Sequence, residues 1–223
     1  MLDRRTMIGG ALAAAAAAAV HASESRRLFD LYRGRSRIGE QEIRVIRRGN
    51  EVEVDIDCDI VVKMLGMSVY RYDIESREIW RRGSLVTLAA RTNDNGTAHR
   101  VQAQQSSGVI QVQGTRFSGV VPRQPATTTY WAQEFLTRPV WISTQDGTPM
   151  NVSVSRAGST IVQAATGPIS ATKFACRGDI GRLDLFYDAR GEWVGSEFDA
   201  RGETARFVLR SRGGEMAPLW VSA

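Results

Sequence analysis

From Glu51 the chain reads EVEVDIDCDIVV, with Val52, Val54, Ile56, Cys58, Ile60 and Val62 alternating against Glu51, Glu53, Asp55, Asp57 and Asp59. A period of two over this length predicts a strand with one dry face and one charged face. The preceding GEQEIRVIRRGN predicts its hairpin partner through a two-residue Gly49-Asn50 turn. That register places Arg48 opposite Glu51, Val45 opposite Val54, Arg44 opposite Asp55 and Ile43 opposite Ile56, with Glu42 and Glu40 opposite Asp57 and Asp59.

The same alternation recurs from Tyr70 to Trp80, Leu85 to Arg91, Ala98 to Gln104 and Val109 to Phe117, with Asn93-Asp94-Asn95-Gly96 as one of the turns. Further strands are expected at Asn151 to Ser155, Thr160 to Ala165 and Ile169 to Cys176, the first two separated by a turn at Ala157-Gly158. No long helical period occurs after the N-terminal segment. The best short candidate is Tyr130 to Leu136, in a stretch where Pro122, Pro125 and Pro139 interrupt the strand pattern. These features predict an all-β, single-domain antiparallel meander with a short helix or flap near 126–141, covering one opening of the sheet.

The pentapeptide Asp-Ala-Arg-Gly-Glu occurs twice, at Asp188 to Glu192 and at Asp199 to Glu203. Aspartate at the first turn position accepts backbone N–H bonds and glycine at the fourth takes positive φ, so both copies read as type I turns with a glycine bulge. Three consecutive strands follow, at Arg182 to Tyr187, Glu192 to Phe198 and Thr204 to Leu209. Arg177-Gly178-Asp179 reads as another corner between strands.

Ahead of this domain, Arg4-Arg5 precedes an alanine-rich apolar run from Ile8 to Val20, with small residues at Val20 and Ala22. That is the layout of a twin-arginine export signal cleaved before Ser23, and the run is shorter than the roughly 20 residues of a bilayer-spanning helix. The expected organisation is a signal peptide over 1–22 and one domain over 23–223. Its export partners would be the twin-arginine translocase and signal peptidase, its location periplasmic or secreted. The net charge of +5 hardly changes when Asp3, Arg4 and Arg5 leave, and it forms no basic patch, so nucleic acid is not an expected partner. Cys58 and Cys176 would meet an oxidising compartment, where a disulfide closing so long a loop contributes on the order of 4 kcal/mol. The alternative is two separate buried thiols.

With these segments in place, the chain resembles a family of bacterial secreted proteins known as a domain of unknown function. The residues carrying the resemblance run from Tyr32 and Ile38-Gly39 through Val69-Tyr70-Arg71-Tyr72, Glu78 and Trp80, Tyr130-Trp131 and Thr144-Gln145-Asp146-Gly147, to Tyr187-Asp188, Gly191 and Trp193-Val194-Gly195. The resemblance implies an exported β-rich domain, a strongly curved sheet or incomplete barrel. It implies no activity.

Candidate chemistry is sparse. After the signal, the one remaining histidine is His99, which excludes a histidine-based metal cluster and is expected on the solvent face of its strand. No G-x-S-x-G elbow, C-x-x-C pair or phosphate loop is present. Ser170-Ala171-Thr172-Lys173 matches S-x-x-K, but its neighbours favour a strand, on which positions three apart face opposite sides. The carboxylate row from Glu51 to Asp59 reads as a solvated face balanced by arginines such as Arg71 or Arg77. No metal or cofactor is expected.

These observations lead to a non-catalytic protein that holds an apolar or amphiphilic small molecule, such as a lipid fragment, within the curved sheet. The expected ligand-binding residues are Tyr70, Arg71, Tyr72, Trp80, Arg123, Tyr130, Trp131 and Trp141, with Arg71 or Arg123 meeting a polar headgroup. Two alternatives stand beside it: a hydrolase using carboxylates such as Asp55 and Asp57, and an envelope scaffold binding through a sheet edge.

Overall fold

In a computed structural model, the structure describes residues 23–221 other than Leu65, Arg123 and Arg201. The expected export signal and Arg123 lie outside the described residues.

The strands are β1 Ser23–Arg33, β2 Ser36–Arg48, β3 Glu51–Met64, β4 Met67–Arg81, β5 Ser84–Asp94, β6 Thr97–Ser106, β7 Val109–Gly114 and β8 Ser118–Val121. They continue with β9 Ala126–Thr127, β10 Val140–Ile142, β11 Pro149–Ala164, β12 Gly167–Gly178, β13 Leu183–Asp188, β14 Trp193–Ala200 and β15 Glu203–Gly213. A 3-10 helix, Gln133–Thr137, and a one-turn helix, α1 Ala217–Val221, complete the chain. All the strands belong to one fifteen-stranded sheet in the order β8-β7-β6-β5-β4-β3-β2-β1-β15-β14-β13-β12-β11-β10-β9. The molecule is an all-β single domain built as a large curved sheet. Each strand from β1 to β7 pairs antiparallel with the next, as does each from β10 to β14, and β9 joins β10 in parallel.

The β2–β3 register follows the charge and apolar pattern, with Arg48 opposite Glu51, Arg44 opposite Asp55 and Glu42 opposite Asp57. Val45, Val52 and Val54 point inward and are fully buried. Two of the expected corners differ from the sequence reading. At Ala157-Gly158 the chain does not turn, because Gly158 at φ +105 forms a bulge between Arg156 and Gly158 in one continuous β11; a glycine marks a turn and a bulge equally well. The repeated pentapeptide also folds in two ways. Asp188 Oδ1 accepts the backbone N–H groups of Arg190 and Glu192 at 2.9 and 3.1 Å, with Gly191 at φ +76. In the second copy Ala200 already pairs with Glu203, a tighter hairpin, and Asp199 turns instead to Arg182 at 3.4 Å. In the Arg177-Gly178-Asp179 corner, Asp179 accepts from the Asn151 backbone and side-chain nitrogens.

Two seams hold the curve together. At the free edges, chain 122–125 links β8 directly to β9, and Arg116 N donates to Asp146 O at 3.1 Å. Gly114 permits that approach, since a β-carbon there would lie 2.2 Å from the Asp146 carbonyl oxygen. At the other seam β1 pairs with β15, bringing both ends of the domain together. Inside it, Arg27 and Glu192 form an ion pair with side chains 1% and 2% exposed. Arg27 also donates to Ser25 Oγ and to the carbonyls of Arg26, Gly213 and Gly214, and Glu192 Oε1 accepts from Ala217 N at 2.9 Å. Burial lowers the Arg27 pKa, Glu192 opposing it.

Removing one member of a buried pair strands the other charge, at a typical loss of about 3–5 kcal/mol. Arg27→Met is therefore expected to lower the urea-unfolding free energy by about that amount, and Arg27→Met with Glu192→Leu to recover much of it. Equal loss in the single and double variants would show that the stranded charge is not the source.

Candidate functional site

Strand β4 divides the interior. Its inward positions are Tyr70, Tyr72, Ile74, Ser76, Glu78 and Trp80, alternating with the outward Arg71, Asp73, Glu75 and Arg77. The first four line a cavity of about 780 Å³. Ile56, Cys58, Ile60 and Val62 of β3 supply the adjacent wall, and Leu183, Phe198 and Phe207 the facing one. Thr128, Thr129 and Tyr130, with the corner Ser143–Gln145, close the remaining side. At the mouth stand Arg33, Met64 and Val69, the last two 63% and 47% exposed. Arg33 is held there by the Ala200 carbonyl at 3.2 Å and by Glu203 at 3.8 Å.

The half beyond Ser76 is solid. Trp80, Trp131, Phe135 and Trp220 pack together with centroid separations of 4.9 to 5.8 Å. The Arg138 guanidinium lies 5.3 Å from Trp80 and Trp220 and 5.6 Å from Phe135. Burial lowers its pKa to about 10, still cationic at neutral pH, and it donates to the Pro125 carbonyl at 2.7 Å. The segment expected to be a flap thus enters the barrel and seals the end opposite the mouth.

Polar groups collect where the hollow half meets the solid one. Ser76 is 6% exposed and lines the cavity, yet its Oγ has no hydrogen-bond partner among the described residues. One step further, the fully buried Glu78 accepts from Trp80 Nε1 at 2.7 Å and Trp131 Nε1 at 3.4 Å through Oε2. Thr129, also in the lining, bonds Thr127 at 2.8 Å beside that carboxyl. Burial pushes the Glu78 pKa up, outweighing the indole and threonine donors that favour its anion. On the next two strands Thr92 Oγ1 and His99 Nδ1 are likewise buried and unpartnered. His99 was expected to face solvent. The tight turn at Asn95-Gly96, with φ of +51 and +92, instead sets β6 so that His99 shares the inward phase of Val101 and Ala103.

Tyr130 joins the two halves. It lines the cavity while its ring lies 5.9 Å from those of Trp141 and Trp193. Its φ of +60 is uncommon for a bulky residue and is maintained by its surroundings; the Tyr187 hydroxyl donates to the Tyr130 carbonyl at 2.6 Å. Burial raises the pKa of both Tyr72 and Tyr130.

Of the residues expected to bind ligand, the structure brings Tyr70, Tyr72 and Tyr130 together on the cavity wall and places Trp80, Trp131 and Trp141 in the solid half. Arg71 is on the outer face, beside Asp59 and Asp73 at 3.3 and 3.6 Å. Cys58 and Cys176 are buried free thiols on β3 and β12, with β2, β1, β15, β14 and β13 between them. Burial pushes both thiols up to about 12. Sequence reasoning did not single out Ser76, Thr129, Arg33, Arg138 or Trp220. The readable signal for the first was two polar residues, Ser76 and Glu78, in the dry phase of β4.

The carboxylate row lies outside the barrel. Glu51 pairs with Arg81 and Asp55 with Arg77 and Arg44; burial acts to raise the Asp55 pKa, but the two arginines hold it below its usual value. Asp57 meets Glu42 and Glu75 across the sheet, and burial, then those carboxylates, raise its pKa. Lys173 of the S-x-x-K sequence pairs with Asp184 at 2.7 Å, on a strand. Among the described residues no group of three or more His, Cys, Asp or Glu is arranged to hold a metal ion, and no helix is long and apolar enough to cross a membrane.

The chain belongs to the family described as Domain of unknown function (DUF6134), which matches residues 29–210. It is also similar in fold to a crystal structure of a beta-barrel-like protein of Domain of Unknown Function DUF1849 from Brucella abortus, with a TM-score of 0.58 and 12% identity over 87% of this chain and 98% of that one. No curated protein matches the chain.

The upward shift of Glu78 has a definite sign in stability. A carboxyl whose folded pKa exceeds its ordinary value of 4.5 contributes fully below that value and loses its contribution as pH rises through the folded pKa. Glu78→Gln cannot ionise. Relative to that variant, the wild-type protein is expected to lose up to about 1.4 kcal/mol per pH unit as pH rises from the ordinary value to the folded pKa, and nothing further above it. Parallel stability profiles in denaturant titrations across the pH range would rule out a buried, proton-holding Glu78.

Proposed function

We propose that this is an exported periplasmic protein, non-catalytic, that holds an apolar or amphiphilic small molecule in the open half of the barrel. The observation that carries the reading is the cavity of about 780 Å³, whose walls are aliphatic and aromatic side chains from many strands. Volumes of this order are typical of preformed small-molecule sites lined by apolar groups with a few placed polar ones. A packed interior elsewhere in the same barrel argues that the hollow is built, since protein cores close to near-crystalline density when nothing keeps them open. The carboxylates that would serve a hydrolase are on the opposite face of the sheet, where Asp55 is neutralised by two arginines.

Native mass spectrometry of protein taken from its own periplasm is expected to show an adduct that organic solvent removes. Ile60→Trp, which fills the wall while leaving the sheet registry alone, is expected to abolish the adduct with the strand spectrum unchanged in circular dichroism. An adduct-free wild-type protein that also fails to take up an apolar fluorophore would overturn the reading. For export, the twin-arginine translocase and signal peptidase are expected to release a chain starting at Ser23, and lysines in place of Arg4 and Arg5 to leave the precursor in the cytoplasm. Unchanged export of that variant would point to the general secretory route.

A further inference from the structure

Resting on the reading of the cavity as a ligand site, we infer that its ligand enters polar end first and that this end is an uncharged hydroxyl, seated on Ser76 and Thr129 at the floor, with an apolar chain running back to the mouth.

The floor carries two buried hydroxyls, while Gln41 and Thr144 are further buried polar side chains in the lining. Ser76 Oγ is in the lining, nine-tenths buried and unpartnered, and a buried hydroxyl without a partner is a group that a ligand can satisfy. Thr129 is in the lining too, 5% exposed, its hydroxyl 2.8 Å from that of Thr127. A hydroxyl both donates and accepts, which suits two hydroxyl neighbours.

Charge selects against the other heads. Among the described residues Arg33 is the cationic side chain in the lining; it is at the mouth and already engaged by Ala200 and Glu203. A carboxylate or phosphate driven to the floor would find no cation among the described residues to offset its lost water. An ammonium would have to shed its water against Ser76 and Thr129, with the Glu78 carboxyl fully buried behind them and bonded to two indoles. The mouth is suited to a chain: Met64 and Val69 are there, followed inward by Val62, Ile60 and Tyr70. From Tyr70 to Ser76 the wall runs about 20 Å along the strand.

The experiment uses the full mature protein, freed of bound material, and competition against an apolar fluorophore at neutral pH. The competitors share one chain length: 1-dodecanol, dodecanoate, dodecylamine and dodecane. The alcohol is expected to bind about tenfold or more tightly than either charged analogue, because a site built around hydroxyl partners rejects what leaves them unpaired. Ser76→Ala is expected to reduce 1-dodecanol binding about tenfold while dodecane is unaffected, a pattern that a general loss of folding would not produce. Thr129→Val provides the second variant. Tighter or equal binding of dodecanoate or dodecylamine overturns the inference, as does a Ser76→Ala protein with an unaltered ranking. If all four bind alike, the cavity reading stands and this one fails; if none binds, both fail.

Discussion

Making one continuous sheet of this size requires that the first strand find the last. Here β1 and β15 pair along their length, and the energetically demanding element of that seam is the buried Arg27 and Glu192 pair. A guanidinium taken out of water is tolerated only where nearly all its donors find acceptors. Arg27 meets that condition by drawing on the N-terminal strand, the carbonyls of Gly213 and Gly214, and a carboxylate from the β13–β14 hairpin. Glu192 in turn holds the start of α1 through Ala217 and pairs with Ala132 beside the 3-10 helix. One ion pair thereby joins both chain ends to the segment that seals the barrel.

That seal explains why the interior is half solid and half hollow. The aromatic residues of β4, the 3-10 helix region and α1 converge at one end, where Trp80, Trp131, Phe135 and Trp220 fill the cross-section. No equivalent insertion reaches the other end, so Ile56 to Val62 of β3 and Tyr70 to Ser76 of β4 face open space. Polar groups lie at the boundary because both environments need them there: the indoles of Trp80 and Trp131 require an acceptor, which Glu78 supplies, and the hollow ends on hydroxyls. The left-handed backbone of Tyr130 sits at this boundary, held by the Tyr187 hydroxyl.

The outer face follows a simpler rule. Carboxylates on β3 are answered by arginines on β2 and β4, so Glu51, Glu53 and Asp55 each have a cation near. The exception is Asp57, between Glu42 and Glu75, where burial and then like charges raise its pKa. These exposed pairs contribute modestly to stability. Their clearer effect is on register: a one-residue slip would bury the row and expose the valines.

Alternation determined strands β2 to β7 and β12 to β15 and the β2–β3 register down to Arg44 opposite Asp55, and turn residues determined the corner at Asp188, because each depends on residues a few positions apart. The pattern also held the polar interruption at Ser76 and Glu78, although nothing local says whether such a pair faces a cavity or a core. Only the tertiary structure decided which aromatic residues line the hollow and which form the plug: Tyr70 and Trp80 share one face of one strand, and their surroundings differ solely because chain from 130–137 and 217–221 enters one end of the barrel. It also decided that Cys58 and Cys176 have five strands between them, and that Gly158 makes a bulge where Gly191 makes a turn. Short-range spacing carries face and register; the filling of an enclosed volume depends on contacts between segments far apart in the chain, and no local pattern encodes it.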